Sequence, residues 1–252
     1  MSTTPLLSPS VAQPWVDRYE RMMQREVPHR RQMLDEVAAR CRELATEREL
    51  HSILEVGAGP GTLARRLADE HQTATVVAVD ADPVLIGLAR ALRHPRVRLV
   101  HARIGAPEWR TRLRLDDPPD VAVAVSVVHY LSDEQARHWY ADLAHLLGAQ
   151  GSLVLADAFA PAAGRPLIPP GDDRATVTGA DAETWRQWWA AADAEPRLRA
   201  LRDAEDAFGP SCDGDERLEA DDHRRWLQHA GFARVTETWR LGSHAVLLAA
   251  RR

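Results

Sequence analysis

A strand-like run, Ile53-Leu54-Glu55-Val56, leads into Gly57-Ala58-Gly59-Pro60-Gly61 and then Thr62, where a helical pattern begins. Glycines let the backbone turn sharply and let a ligand approach with no Cβ in the way. The N–H groups opening the next helix favour an anionic or strongly polar ligand group. A second strand-like run ends at Asp80, 23 residues beyond Gly57, where a carboxylate can accept both hydroxyl hydrogens of a ribose. Capping the helix that opens at Pro83 is the competing role for Asp80, but Asp82 is better placed for it. The pattern predicts a nucleotide-like ligand lying across the glycine turn; the alternative is a turn that only joins strand to helix. The third glycine falls one position short of the GxGxxG dinucleotide fingerprint, where Thr62 stands.

Other residues could move protons or bind an acceptor. His129 follows a fourth strand-like run and is the best general-base candidate, since histidine exchanges its proton near neutral pH. The competing reading is a neutral histidine packed under the helix that opens at Asp133. Tyr19 and His244 are weaker candidates. Trp185, Trp188 and Trp189 stand at i, i+3 and i+4 and share a helical face. They either wall an acceptor pocket or fasten a helical lid to the sheet, and large aromatics mainly supply buried area. The eleven histidines show no HxH or HExxH spacing, and Cys41 and Cys212 stand in no CxxC or CxxH, so no metal site is expected.

These residues must be positioned by elements whose pattern changes at His51. Before it, Trp15, Tyr19, Met22 and Met23 mark one helix, and a second runs from about Pro28 to Arg48. From His51, short β-branched runs at 53–56, 74–79, 97–101, 121–126 and 152–156 alternate with helical segments at 62–70, 83–92, 107–113 and 133–147. Near-continuous apolar strands separated by helices predict a parallel sheet covered on both faces, a doubly wound α/β core. Residues 159–180 interrupt the rhythm, and a single Trp-containing helix is expected over 181–207. A helix near 221–230 then precedes strands 234–240 and 244–250, which are close enough to form an antiparallel hairpin. The expected organisation is an N-terminal helical cap (1–50), an α/β core (51–158), a lid or acceptor-site insertion (159–219), and a C-terminal helix and hairpin (220–252).

Composition removes several classes of chemistry. The chain has no lysine and no asparagine, so all 32 basic residues are arginine. That excludes Walker-type phosphate binding, pyridoxal Schiff bases and the protein-kinase ATP site. A net charge of −5 gives no global attraction to nucleic acid. No apolar run approaches the roughly 20 residues of a membrane span, and the opening residues do not read as a secretory signal. The expectation is a cytoplasmic protein with no membrane partner.

Glu55 to Thr62 with Asp80 resembles the class I S-adenosylmethionine-dependent methyltransferases. The resemblance extends to Asp120–Ser126 with Val127-Val128-His129-Tyr130-Leu131-Ser132-Asp133-Glu134, to Gly151–Asp157, to Ala230-Gly231-Phe232, and to the final hairpin. It implies a seven-stranded Rossmann-like sheet, six strands parallel and one antiparallel, and S-adenosylmethionine as cofactor with S-adenosylhomocysteine as product. Gly57, Ala58, Gly59, Gly61 and Thr62 would wrap the methionine part, and Glu55 would support its amino group. Asp80 would hold the ribose hydroxyls with Ala81 beside the adenine, and Ser126 would lie near the methionyl group. Many relatives carry an acidic residue after strand three, but here the run is His101-Ala102-Arg103-Ile104. The Arg103 side chain cannot accept a hydrogen bond, so its backbone or Ile104 would serve. The implied activity is methyl transfer to a small-molecule acceptor, in a composition suggestive of bacterial specialised metabolism. An RNA or protein acceptor, a non-catalytic cofactor-binding protein and an NAD(P)-dependent oxidoreductase are the alternatives. Acceptor identity and oligomeric state are not given by the sequence.

Overall fold

The computed structural model describes residues 7–160, 183–204 and 219–252. Two helices, α1 (Pro9–Glu26) and α2 (Arg30–Glu47), precede an alternation of β1 (Ser52–Val56), α3 (Thr62–Glu70), β2 (Thr75–Asp80), α4 (Pro83–Ala91), β3 (Val97–His101), α5 (Trp109–Leu113) and β4 (Val121–Val125). A single 3₁₀ turn, Val128–Tyr130, then leads to α6 (Asp133–Leu146) and β5 (Ser152–Ala158). The chain continues through α7 (Trp185–Ala194), α8 (Pro196–Ala204), α9 (Ala220–His229), β6 (Arg234–Leu241) and β7 (His244–Ala250).

The strands form one sheet in the order β3-β2-β1-β4-β5-β7-β6. β7 runs antiparallel to both β5 and β6, and the other neighbours are parallel. Strand order reverses between β1 and β4, and the loops leaving these two strands flank the crevice where open α/β sheets bind ligands. The hairpin closes tightly, with Leu241 paired to His244.

Alternation along the strands sorts side chains between two cores, because successive residues point to opposite faces. Leu54, Val77, Val79, Ala122, Leu153, Leu155 and Leu247 pack with Trp109, Trp139, Tyr140 and Phe232 on the side of α5, α6 and α9. Ile53, Val76, Ala78, Val123, Val154 and Val246 pack on the other side with Met33, Val37 and Cys41 of α2 and Leu63 and Leu67 of α3. A third cluster joins α1, α4, α7 and α8 through Tyr19, Met22, Val84, Leu88, Trp188 and Leu201.

The helix expected over 181–207 is two helices in its described part. Pro196 biases the preceding residue away from helical backbone, and Glu195 is extended (φ −78°, ψ 115°), so α7 ends at Ala194 and α8 opens at Pro196. The two helices dock beside the sheet's third cluster, where Gly87 of α4 faces Leu201 so closely that an added Cβ would lie 2.4 Å from its methyl carbon.

Candidate functional site at the sheet switch point

The turn after β1 has all three of its glycines in left-handed backbone: Gly57 (φ 72°), Gly59 (φ 55°) and Gly61 (φ 75°). Gly57 is the most constrained, since a Cβ there would meet Val127 Cγ2 at 2.3 Å in addition to the backbone strain. The turn is fastened to β2: Gly57 and Ala58 donate to the Val79 carbonyl at 2.8 and 3.0 Å. Gly59 N–H donates to Asp80 Oδ2 at 2.7 Å, and Asp82 N–H donates to Asp80 Oδ1 at 2.8 Å. Arg65 of α3 reaches back to the Pro60 carbonyl at 3.0 Å and to Thr62 Oγ1 at 3.4 Å.

Asp82 caps α4 by accepting from Val84 and Leu85, so Asp80 is left to organise the turn. Burial raises the Asp80 carboxyl to about 6, against the lowering effect of the N–H groups it accepts from. Ala81 follows, its carbonyl oxygen 2.9 Å from His101 Nε2. Arg103 and Ile104 are half-buried beyond β3, with Ile104 packed against the sheet core.

Glu55 alternates onto the α2/α3 face of β1 and is 3% exposed. Its Oε2 is enclosed and has no hydrogen-bond partner among the described residues. Burial and the nearby Asp80 push this carboxyl up to about 8, against the lowering effect of Arg30 and Arg65. Tyr19 of α1 lies over the turn, its hydroxyl 3.6 Å from where a Gly59 Cβ would stand. Burial pushes that phenol well above its ordinary range.

Across the switch point, Ser126 at the end of β4 also has left-handed backbone (φ 55°) and donates its N–H to the Ala156 carbonyl at 2.8 Å. The turn that follows closes around Asp157 of β5. This carboxylate, 1% exposed, accepts from the N–H groups of Val127, Val128 and Ala158, each at 2.8 Å, and from His129 Nδ1 at 2.7 Å. Burial acts to raise the Asp157 carboxyl, but the His129 charge and these hydrogen bonds outweigh it and hold the group below its ordinary value. With Nδ1 donating, the imidazole is held in one orientation with Nε2 as its basic nitrogen. Tyr130 stacks on the ring at 4.1 Å between centroids.

His244 opens β7 opposite Ala158 and is buried. Burial lowers its imidazole, against the raising effect of Asp157. The three tryptophans part company. Trp188 is fully buried, edge-on to Trp15, Tyr19 and Trp189 at 5.8, 5.2 and 4.8 Å, whereas Trp185 and Trp189 are half-buried. Trp185 reaches Tyr19 at 6.3 Å, and the residues just before α7 are tied to α1 by the Arg18–Glu183 ion pair. Among the described residues, no group of three or more His, Cys, Asp or Glu side chains is placed to hold a metal ion, and no helix is long and apolar enough to cross a membrane. Cys212 lies outside the described residues.

Residues 53–151 match the family model described as a methyltransferase domain. The sheet order, with its one reversed strand, is shared with solved methyltransferases. An O-methyltransferase family protein from Burkholderia thailandensis superposes with a TM-score of 0.57 at 19% identity, covering 88% of this chain and 55% of its own. The S-adenosylmethionine-dependent methyltransferase SibL in its apo form gives 0.51 at 22% identity, covering 80% of this chain and 50% of its own. Human N-acetylserotonin methyltransferase in complex with S-adenosylmethionine gives 0.52 at 13% identity, covering 94% and 65%. The chain thus spans about half the length of the first two of these proteins. No curated protein matches it in sequence.

Methyltransferases of the matched family use S-adenosylmethionine as methyl donor, and residues 53–151 have features that would fit it. The enclosed Glu55 oxygen lacks, among the described residues, a partner that a ligand ammonium would supply, and Gly57, Gly59 and Gly61 keep three positions of the turn free of Cβ atoms. The Asp80 carboxylate stands at the end of β2, where a ribose would be held. Asp157 and Arg65 had no role in the sequence reading. Asp157 stood in the sequence only as the end of the Gly151–Asp157 stretch of the resemblance, and its pairing with His129 spans 28 residues, which no local spacing encodes. Arg65 was one arginine among 32.

Proposed function

We propose that this chain transfers the methyl group of S-adenosylmethionine to a hydroxyl-bearing small molecule, with His129 as the general base. The observation that carries the reading is the His129–Asp157 pair at 2.7 Å, beside the glycine turn. When bound, the cofactor supplies a sulfonium-activated methyl group, so the protein's work is alignment and exclusion of water. A base is needed only when the acceptor must lose a proton to become nucleophilic, which favours a hydroxyl over a neutral amine. His129 Nε2 takes that proton, and Asp157 orients the ring and stabilises the imidazolium that forms. Glu55 accepts from the methionyl ammonium, the Gly57–Gly61 backbone follows the methionyl chain, and Asp80 accepts from the ribose hydroxyls. Ser126 borders the methionyl group; Ala81, Arg103 and Ile104 border the adenine.

Tyr19 serves as a wall of the cofactor site. Trp185 and Trp189, with His244 on the opposite side, are the acceptor-side candidates, and Trp188 fastens α7 to α1. α1, α7 and α8 form the cover over the switch point. The O-methyltransferase descriptions of structural neighbours and the acidic net charge support a small-molecule acceptor over RNA. The arginine-only composition supports a setting in bacterial specialised metabolism. Burial pushes the Cys41 thiol up to about 12, in keeping with an unreactive thiol in a cytoplasmic protein.

The test is methyl transfer from labelled S-adenosylmethionine to a panel of phenols and hydroxy acids, alongside titration calorimetry with S-adenosylhomocysteine and NADH. Binding of the adenosyl ligand, no binding of NADH, and transfer that collapses in His129→Ala support the reading. A folded protein that ignores S-adenosylhomocysteine sinks it.

A further inference from the structure

Three enclosed polar atoms lack a hydrogen-bond partner among the described residues: Glu55 Oε2 next to the glycine turn, and Glu20 Oε1 and Arg30 Nε on the covering helices. Glu20 stands on α1 and Arg30 opens α2, and the two meet through Arg30 Nη2 and Glu20 Oε2 at 3.3 Å. That contact uses one oxygen of the acid and one nitrogen of the guanidinium, leaving the other atoms named above unspent. The residues share one electrostatic neighbourhood, since the charges of Arg30 and Glu20 both act on Glu55 and on Tyr19. A buried polar atom without a partner carries a desolvation penalty that nothing offsets. Three together, two acceptors and one donor, are hard to explain as core packing.

The set has the complement of a zwitterion: two carboxylates for an ammonium and a guanidinium for a carboxylate. An apolar or singly charged ligand end would leave part of it unsatisfied. We infer that Arg30 reads the α-carboxylate of the methionyl group and that Glu20 joins Glu55 in reading its α-ammonium. This rests on the cofactor proposed above and adds that α1 and α2, which lie outside the residues matched by the methyltransferase family, complete the recognition. Arg30 is then a specificity residue of the cofactor site. A guanidinium that only neutralised two buried acids would not distinguish ligands by their carboxylate.

The experiment is calorimetric titration of the full chain with three ligands. S-adenosylhomocysteine carries both charges, S-adenosyl-3-thiopropylamine lacks the carboxylate, and 5′-methylthioadenosine lacks both. Wild type is expected to prefer S-adenosylhomocysteine over the amine by tenfold or more, about 1.4 kcal/mol. Arg30→Gln should erase that preference, weakening S-adenosylhomocysteine while leaving the amine within about twofold, which also shows that the variant is folded. Glu20→Gln should weaken both amine-bearing ligands and spare 5′-methylthioadenosine. Equal loss of all three ligands in Arg30→Gln, or unchanged S-adenosylhomocysteine binding, overturns the assignment and leaves the cofactor reading intact; so does a wild type with no preference for the carboxylate. A folded wild type that binds none of the three overturns the cofactor reading itself.

Discussion

Glu55 and Asp157 are both almost wholly enclosed carboxyls at the ends of central strands, yet their acidities move in opposite directions. Asp157 is held below its ordinary value because the chain supplies everything an anion needs: three backbone N–H groups and His129. Glu55 is raised to about 8 because burial dominates, Asp80 repels it, and one oxygen is left unbonded. Burial penalises a charge in both places, and what differs is whether the chain or a ligand provides the compensation. On the function proposed above, the acceptor half compensates its buried charge from the polypeptide, whereas the cofactor half leaves that compensation to the ligand.

The largest expected effect tests whether the cofactor half depends on its backbone. Gly57→Ala combines left-handed strain with a 2.3 Å approach to Val127; S-adenosylhomocysteine binding should be lost, and thermal melting should show a destabilisation of about 2–4 kcal/mol. Retained affinity would mean the turn is not the ligand cradle.

The next probes the acceptor half alone. His129→Ala should lower kcat by about 10²–10⁴-fold with S-adenosylhomocysteine affinity unchanged, because the imidazole serves the acceptor. A parallel loss of cofactor affinity would dissolve the division into halves.

Glu55→Gln sharpens the contrast in acidity. A carboxyl raised on folding contributes stability that is full below its unfolded pKa and is lost as pH rises through its folded one. Wild type should therefore lose stability from about pH 4.5 to about pH 8, and Glu55→Gln should flatten that decline while weakening S-adenosylhomocysteine about tenfold. For Asp157, lowered on folding, the contribution is present above its unfolded value and lost as pH falls through the folded one, so Asp157→Asn should narrow its stability deficit in acid. Denaturant melts across pH 3–9 check both slopes; parallel slopes for the two variants would contradict the assignment. The smallest effect is expected from Tyr19→Phe, which keeps the ring contacts with Trp185 and Trp188 and should change stability by less than about 1 kcal/mol. A large loss of cofactor affinity there would make the hydroxyl a ligand contact.

Local pattern made much of this legible. The glycine turn, Asp80, the Asp82 cap and the final hairpin are encoded by neighbours a few residues apart, and the alternating apolar runs fixed the layers. Pro196 is equally plain in the sequence, yet the expectation of one Trp-containing helix over 181–207 runs straight through it. The charged surroundings of Glu55 and the partner of His129 were not legible, because Glu20, Arg30 and Asp157 come from separate elements brought together only by the sheet and its covering helices. Nor does spacing say that Trp188 is core while Trp185 is partly exposed; that depends on how α7 rotates against α1.

The contact between Gly57 and Val127 joins the two halves at one point: the turn after β1 rests on the turn after β4. Sequence change on either side is therefore epistatic. A bulkier residue at 127 would press on the cofactor turn, and a smaller one would make room for a Cβ at 57 while leaving its backbone strain in place. On the function proposed above, retuning the site toward another acceptor by substitution around His129 would thus follow an ordered path, in which position 127 has to be settled first.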